Sequence, residues 1–253
     1  MTVKKMLIVG GSENIIIEEN QDYHYITLLK QHGDYDIKNI SIRGISCDES
    51  FYRCIPELEQ TQYDLALILW TPLSRKSVYF SDDNIDDFTM ISNGNIWGFN
   101  QNHSSIRQYT KLHYAYFNNQ YINVHRLLTQ ILIMQSYFKA KNTPLIMCRD
   151  GDDYIPDILV SDYSESHGFV NLSSSLKAIL DFNNRPDHYI LQKLNVLKLL
   201  IEKVDRSCWI DFENFGFETQ KVDRRSDEYH AGPISHSNFF KLLISNLEKR
   251  KLV

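Results

Sequence analysis

Apolar positions along the chain fall into short runs separated by polar, helix-like stretches. Met6–Val9 is uniformly apolar and stops at Gly10-Gly11-Ser12. A short continuous apolar run bounded by glycine reads as a strand buried on both faces. Residues 21–32 cluster Tyr25, Ile26, Leu28 and Leu29 at helical spacing and end at Gly33, which predicts a helix. Residues 35–42 place Ile37, Ile40 and Ile42 as a second strand, ending at Arg43-Gly44. Residues 48–60 read as a helix despite Pro56. Leu65–Trp70 is the clearest buried strand and ends at Thr71-Pro72. A helix over 121–140 carries Val124, Leu127, Leu128, Ile131, Leu132 and Met134 as an apolar stripe. Residues 144–148 give a fourth strand and 208–210 a fifth. Helices are expected over 173–181 and 187–204, and a closing amphipathic helix over 236–249.

Strand alternating with helix predicts an α/β layered fold with a mainly parallel sheet. Residues 74–120 break the pattern. They are rich in Asn, Ser, Asp and aromatics, have no sustained period, and read as a long excursion holding a short helix or ribbon. No repeat and no Pro-, Gly- or Ser-rich linker divides the chain, so 1–253 is expected to be one domain with an insertion at about 74–120.

Composition narrows the class. The 253 residues are 43% hydrophobic and 23% charged, which excludes disordered, collagenous and disulfide-scaffold chains. The net charge of −5 disfavours a fold built to grip a phosphate backbone. No window offers the roughly 18 consecutive apolar residues of a membrane span. The lysines before Met6–Val9 do not make that short run a secretory signal. The four cysteines (Cys47, Cys54, Cys148 and Cys208) lack C-x-x-C spacing and read as reduced, in a cytoplasmic setting. The histidines show no zinc spacing, so neither a metal nor another cofactor is expected.

In parallel sheets, ligands bind beyond the carboxyl ends of the strands. The residues there are Gly10-Gly11-Ser12-Glu13, Arg43-Gly44 and Trp70-Thr71-Pro72, with Asp227-Glu228-Tyr229-His230 late in the chain. Ser12, in a glycine turn between strand and helix, reads either as a helix cap or as an exposed nucleophile with a helix dipole behind it. The turn lacks the lysine of a phosphate-binding loop, so nucleotide binding is the weaker reading. Asp227 and His230 are spaced so that the carboxylate can accept Nδ1–H and leave Nε2 as a base.

An early Ser after the first strand together with Asp-x-x-His before the last helix resembles the SGNH/GDSL hydrolase family. That family usually has G-D-S in the first block, where this chain has Gly10-Gly11-Ser12. Gly44 stands at the place of the second-block glycine. The third block, normally carrying Asn, reads Trp70-Thr71-Pro72-Leu73-Ser74-Arg75. This W-T-x-x-x-R pattern also resembles uncharacterised SGNH-like proteins frequent in phage and virus genomes. The resemblance implies a flavodoxin-like three-layer α/β/α sandwich with a five-stranded sheet. It implies a Ser12–His230–Asp227 triad and an oxyanion hole from Ser12, Gly44 and Thr71, with Arg75 binding substrate. The implied activity is removal of a small, acetyl-like acyl group from a carbohydrate or similar ester. The alternative is a catalytically degenerate fold kept as a binding or virion module.

Overall fold

The strands that the apolar runs predict lie side by side. In a computed structural model, residues 3–72, 75–79, 88–92, 95–98, 104–114, 119–150, 177, 180, 187–210, 212, 216–227 and 230–252 are described. Strands β1 (Lys4–Gly10), β2 (Tyr35–Asn39), β3 (Leu65–Trp70) and β7 (Leu145–Arg149) form a parallel sheet in the order β2-β1-β3-β7. Met6 pairs with Ile37 on one side and Leu65 on the other, and Ala66 pairs with Leu145.

β3 has no polar alternation because both of its faces are covered. Leu65, Leu67 and Leu69 join Met6 and Ile8 against helices α1 (Tyr25–His32) and α6 (Pro233–Lys249). Ala66, Ile68 and Trp70 join Leu7 and Val9 on the other face. There they meet α2 (Cys47–Gln60), α4 (Gln120–Ala140) and α5 (Asp187–Glu202). The result is a three-layer α/β/α sandwich. Pro56 lies inside α2, and Tyr52, whose carbonyl it leaves without a helical donor, is on the exposed side.

The expected fifth strand is absent among the described residues. At that edge Trp209 makes a single parallel bridge to Met147, and Gly216 makes another to Arg149. A 3-10 turn at Arg206–Cys208, capped by Asp205, carries the chain to this edge, and the ladder does not extend. The sheet therefore has four strands, not five.

The excursion contains a separate antiparallel sheet, ordered β4 (Lys76–Tyr79), β5 (Phe88–Ser92) and β6 (Asn95–Gly98), followed by α3 (Ser104–Leu112). The helix expected over 173–181 lies almost entirely outside the described residues. Among these, no helix is long and apolar enough to cross a membrane.

Two histidines meet in the α1–α6 layer. His24 caps α1, its Nδ1 accepting from Ile26 N–H at 3.2 Å. Its Nε2 lies 2.9 Å from Glu13 O and must donate. This fixes the neutral tautomer. The His236 ring, also buried, lies tilted against it with centroids 4.4 Å apart. Burial, then the neighbouring His236, push His24 down to about 3. Burial, then Arg225, push His236 down to about 4, with Lys221 adding to this and Asp223 opposing it.

Both values lie below the unfolded value near 6.5, so the unfolded chain binds more protons in mild acid. The stability these rings contribute is complete above that value and falls as pH drops toward the folded values. Between pH 7 and pH 5 the loss is about 2 kcal/mol per histidine. A His236→Phe variant, measured by urea unfolding at both pH values, is expected to lose about 2 kcal/mol less than the parent over that interval.

Candidate active site

The site forms where β1, β2 and β3 end. After Gly10 the chain makes one 3-10 turn, Ser12–Asn14, and Gly11 occupies the cap position. Ser12 is therefore the first residue of the turn, not its cap. The expected helix dipole behind Ser12 is also absent, because a single three-residue turn has no macrodipole to offer. Asn20 accepts from Ile17 N–H at 2.7 Å and donates to Ile15 O at 3.1 Å. These bonds break the path to α1 into separate turns.

Glycine is required at this turn by close approach. A Cβ on Gly10 would stand 2.5 Å from Asn14 Nδ2 and 2.7 Å from Leu69 O. A Cβ on Gly11 would stand 2.8 Å from Thr71 Cγ2 and 3.2 Å from Arg75 Nη1. Buried Asn14 fixes the far end of the turn. It accepts from Tyr25 Oη at 2.5 Å and donates to Ser41 Oγ at 3.0 Å, tying the turn to the loop after β2. In that loop Gly44 has φ 72°, the left-handed region. Among the described residues, no hydrogen bond engages Ser12 Oγ or the N–H groups of Ser12 and Gly44.

Asp227 and His230 sit at the tip of a loop closed by an Arg224–Ala231 bridge. Asp227 Oδ1 accepts His230 N–H at 3.0 Å, and Asp227 Oδ2 lies 2.7 Å from His230 Nδ1. Arg225 Nη2 donates to the same Oδ2 and lies 2.8 Å from Nδ1. A guanidinium only donates, so two tautomers satisfy these contacts: Nδ1–H donating to Asp227 Oδ2, or a bare Nδ1 accepting from Arg225. The first tautomer leaves Nε2 as an acceptor.

The base of the loop is held by Asp223, which accepts from Ile234 N–H at 2.9 Å and Ser235 N–H at 2.8 Å at the start of α6. Burial raises the Asp223 carboxyl, but the Ser235 hydroxyl and these N–H donors outweigh it and hold the group below its usual value. The tip is held by Glu19, which accepts Ser226 N–H at 3.1 Å.

Glu13 joins the two halves. Its carboxylate accepts Ala231 N–H at 3.2 Å, so the residue after Ser12 is bonded to the residue after His230. Lys221 Nζ lies 3.1 Å from Glu13 Oε1 and also pairs with Asp150, at the end of β7. All three groups are nearly buried. Burial, then the Asp150 charge, raise the Glu13 carboxyl, with Lys221 and the Ala231 N–H acting against them. No direct hydrogen bond links Ser12 to His230.

Thr71, expected to donate to an oxyanion, is fully buried. Its hydroxyl lies 3.6 Å from Cys47 Sγ, and its methyl is the atom nearest the Gly11 position. Arg75 returns toward the turn through Arg75 N–H to Pro72 O at 3.1 Å. Tyr109 is exposed on α3, and Tyr114 donates to Ile91 O at 3.0 Å. Phe99, Tyr116, Phe117 and the Trp97 side chain lie outside the described residues.

Glu13, Asp150, Lys221 and Arg225 are not marked by any motif. The one available signal is a buried-element position: Glu13 and Asp150 each follow the end of a strand. Removing the ammonium would leave two buried carboxylates together. Lys221→Met is expected to cost about 3–5 kcal/mol in urea unfolding at pH 7. The cost should shrink in acid as the Glu13 carboxylate, whose pKa burial raises, protonates. Glu13→Gln keeps an acceptor for Ala231 N–H and should cost less.

No protein-family model and no curated protein matches this chain in sequence. Among solved structures it is similar to TesA, with 11% identity, 99% of this chain and 100% of that chain covered, and a TM-score of 0.49. It is similar to the psychrotrophic esterase EstA from Pseudoalteromonas sp., with 12% identity, 98% of each chain covered and a TM-score of 0.46. It is also similar to Axe2, an acetylxylan esterase from Geobacillus stearothermophilus, with 12% identity, 96% and 94% covered and a TM-score of 0.46.

Proposed function

We propose that the protein is a serine ester hydrolase of the SGNH type, with Ser12, His230 and Asp227 as its triad. The observation that carries this reading is the Glu13–Ala231 hydrogen bond. It sets the Ser12 turn beside a loop whose Asp227–His230 pair is already formed. Ser12 Oγ attacks the ester carbonyl carbon and passes its proton to His230 Nε2. The carbonyl π pair moves onto oxygen. Collapse of the adduct breaks the bond to the leaving alcohol, which takes the proton from His230. Water repeats the sequence on the acyl-serine and releases the acid. The N–H groups of Ser12 and Gly44, free of other partners among the described residues, receive the oxyanion. The substrate is a small acyl ester, acetyl-like, on a carbohydrate or another polar alcohol.

The second reading, a degenerate fold used for binding or structure, draws on Thr71. Its methyl, not its hydroxyl, faces the turn where the family carries Asn. A fluorophosphonate probe separates the two. Labelling at Ser12 supports the hydrolase; absence of labelling in the folded protein supports the binding module.

With p-nitrophenyl acetate, Ser12→Ala and His230→Ala are each expected to reduce kcat to background. Turnover that survives both changes sinks the triad. Gly44→Ala places a Cβ at φ 72° and displaces an oxyanion donor. It is expected to lower kcat about 100-fold, the usual effect of losing one such donor, with a smaller change in KM.

A further inference from the structure

The third position of the oxyanion hole lacks an evident donor, since the Thr71 hydroxyl faces Cys47. A different donor lies beside Gly11. Arg75 Nη1 is buried and has no hydrogen-bond partner among the described residues. It lies 3.2 Å from where a Gly11 side chain would begin, in a niche also bounded by Thr71 Cγ2 and Ile45 Cγ2. That niche is shared by the residue before Ser12, the residue after Gly44 and the residue after β3. An N–H donor buried without an acceptor is costly, and native structures leave few of them. Here the missing acceptor is one that arrives with the substrate.

We infer that Arg75 is a catalytic residue: Nη1–H is the third oxyanion donor, completing the hole with the Ser12 and Gly44 N–H groups. The inference rests on the hydrolase reading above. As Ser12 Oγ bonds to the carbonyl carbon, the displaced π pair resides on an oxygen facing a full positive charge. No proton leaves Arg75, and the charge is released when the adduct collapses. Gly11 is then required for a chemical reason as well as a steric one, because any side chain there would fill the niche. The assignment also sets a substrate class. A cation reserved for the carbonyl oxygen needs no anionic group elsewhere on the substrate, so neutral esters are the natural substrates.

The test uses the full chain with neutral p-nitrophenyl acetate and an ester carrying a carboxylate on its acyl chain. Arg75→Ala should lower kcat about 100-fold on both esters with little change in KM. Millimolar guanidinium should restore part of that loss in Arg75→Ala and none in Ser12→Ala. A structural role for Arg75 would not produce that rescue. If Arg75→Ala keeps its kcat on the neutral ester and raises KM only for the anionic one, Arg75 is an anion clamp and the inference fails. If Arg75→Ala is impaired but guanidinium does nothing while Arg75→Lys is fully active, charge placement and not Nη1 donation matters, and the inference fails again. A parent protein that neither hydrolyses esters nor labels with fluorophosphonate removes the hydrolase reading itself, and Arg75 with it.

Discussion

The Glu13 carboxylate is the constraint on which the site depends. Ser12 and His230 are 218 residues apart, and the Glu13–Ala231 bond joins their immediate neighbours directly. A buried carboxylate needs a counter-charge, and Lys221 supplies it from the root of the same loop. Lys221 also holds Asp150, so one ammonium gathers the end of β1, the end of β7 and the loop bearing Asp227 and His230. Buried ion clusters seldom stabilise a fold more than apolar residues of equal volume would. Their directional bonds, however, fix distances that apolar packing leaves looser. For a site assembled from distant segments, that geometric restraint is the useful property.

Only 10 of the 253 residues are glycine, fewer than the usual share of roughly 7%. Three of the ten glycines stand where a Cβ would collide with the site framework: Gly10 against Asn14 and Leu69, Gly11 against Thr71 and Arg75, and Gly232 against Asp223. Gly44 adds a left-handed turn at the fourth corner. Outside the site, Gly33 ends α1 and Gly216 packs on Cys148 at φ 58°, and several other turns use polar side chains. Asn20, His24, Ser46, Asn119 and Asp205 each bond a nearby backbone N–H. Backbone freedom is thus concentrated where segments must touch.

Much of this was legible in the sequence because burial writes itself locally. β3 is apolar at every position because helices cover both faces, and the helix ending in Ala140 shows its stripe. Asp227 and His230 were legible because their bond spans three residues. The rest depended on long-range contact. Nothing in Gly10-Gly11-Ser12 tells that Asn14 is drawn to Tyr25 and Ser41, which replaces a helix start by a single turn. Cys208–Ile210 has strand-like residues, yet a capped turn beside it limits the ladder to one bridge. Glu13 and Lys221 are brought together only by the fold, which buries them as a pair.

Arg225 bears on how the proposed chemistry divides its work. Its guanidinium donates to the oxygen of Asp227 that the proposed triad also needs as acceptor for His230 Nδ1–H. The guanidinium also lies 2.8 Å from Nδ1 and favours the other tautomer, so in the proposed mechanism the carboxylate must win the ring N–H against it. The Asp227 charge is partly compensated, however, so it offers less to the imidazolium that forms in the proposed mechanism. Stabilisation missing on the proton side must come from the oxygen side. There a cationic donor gains more than a neutral carboxamide would, since charge-assisted hydrogen bonds are roughly twice as strong as neutral ones. An arginine behind the acid and an arginine beside the oxyanion are then two halves of one electrostatic arrangement. The positive charge near Asp227 weakens one partner of the transition state, and the positive charge near Gly11 strengthens the other.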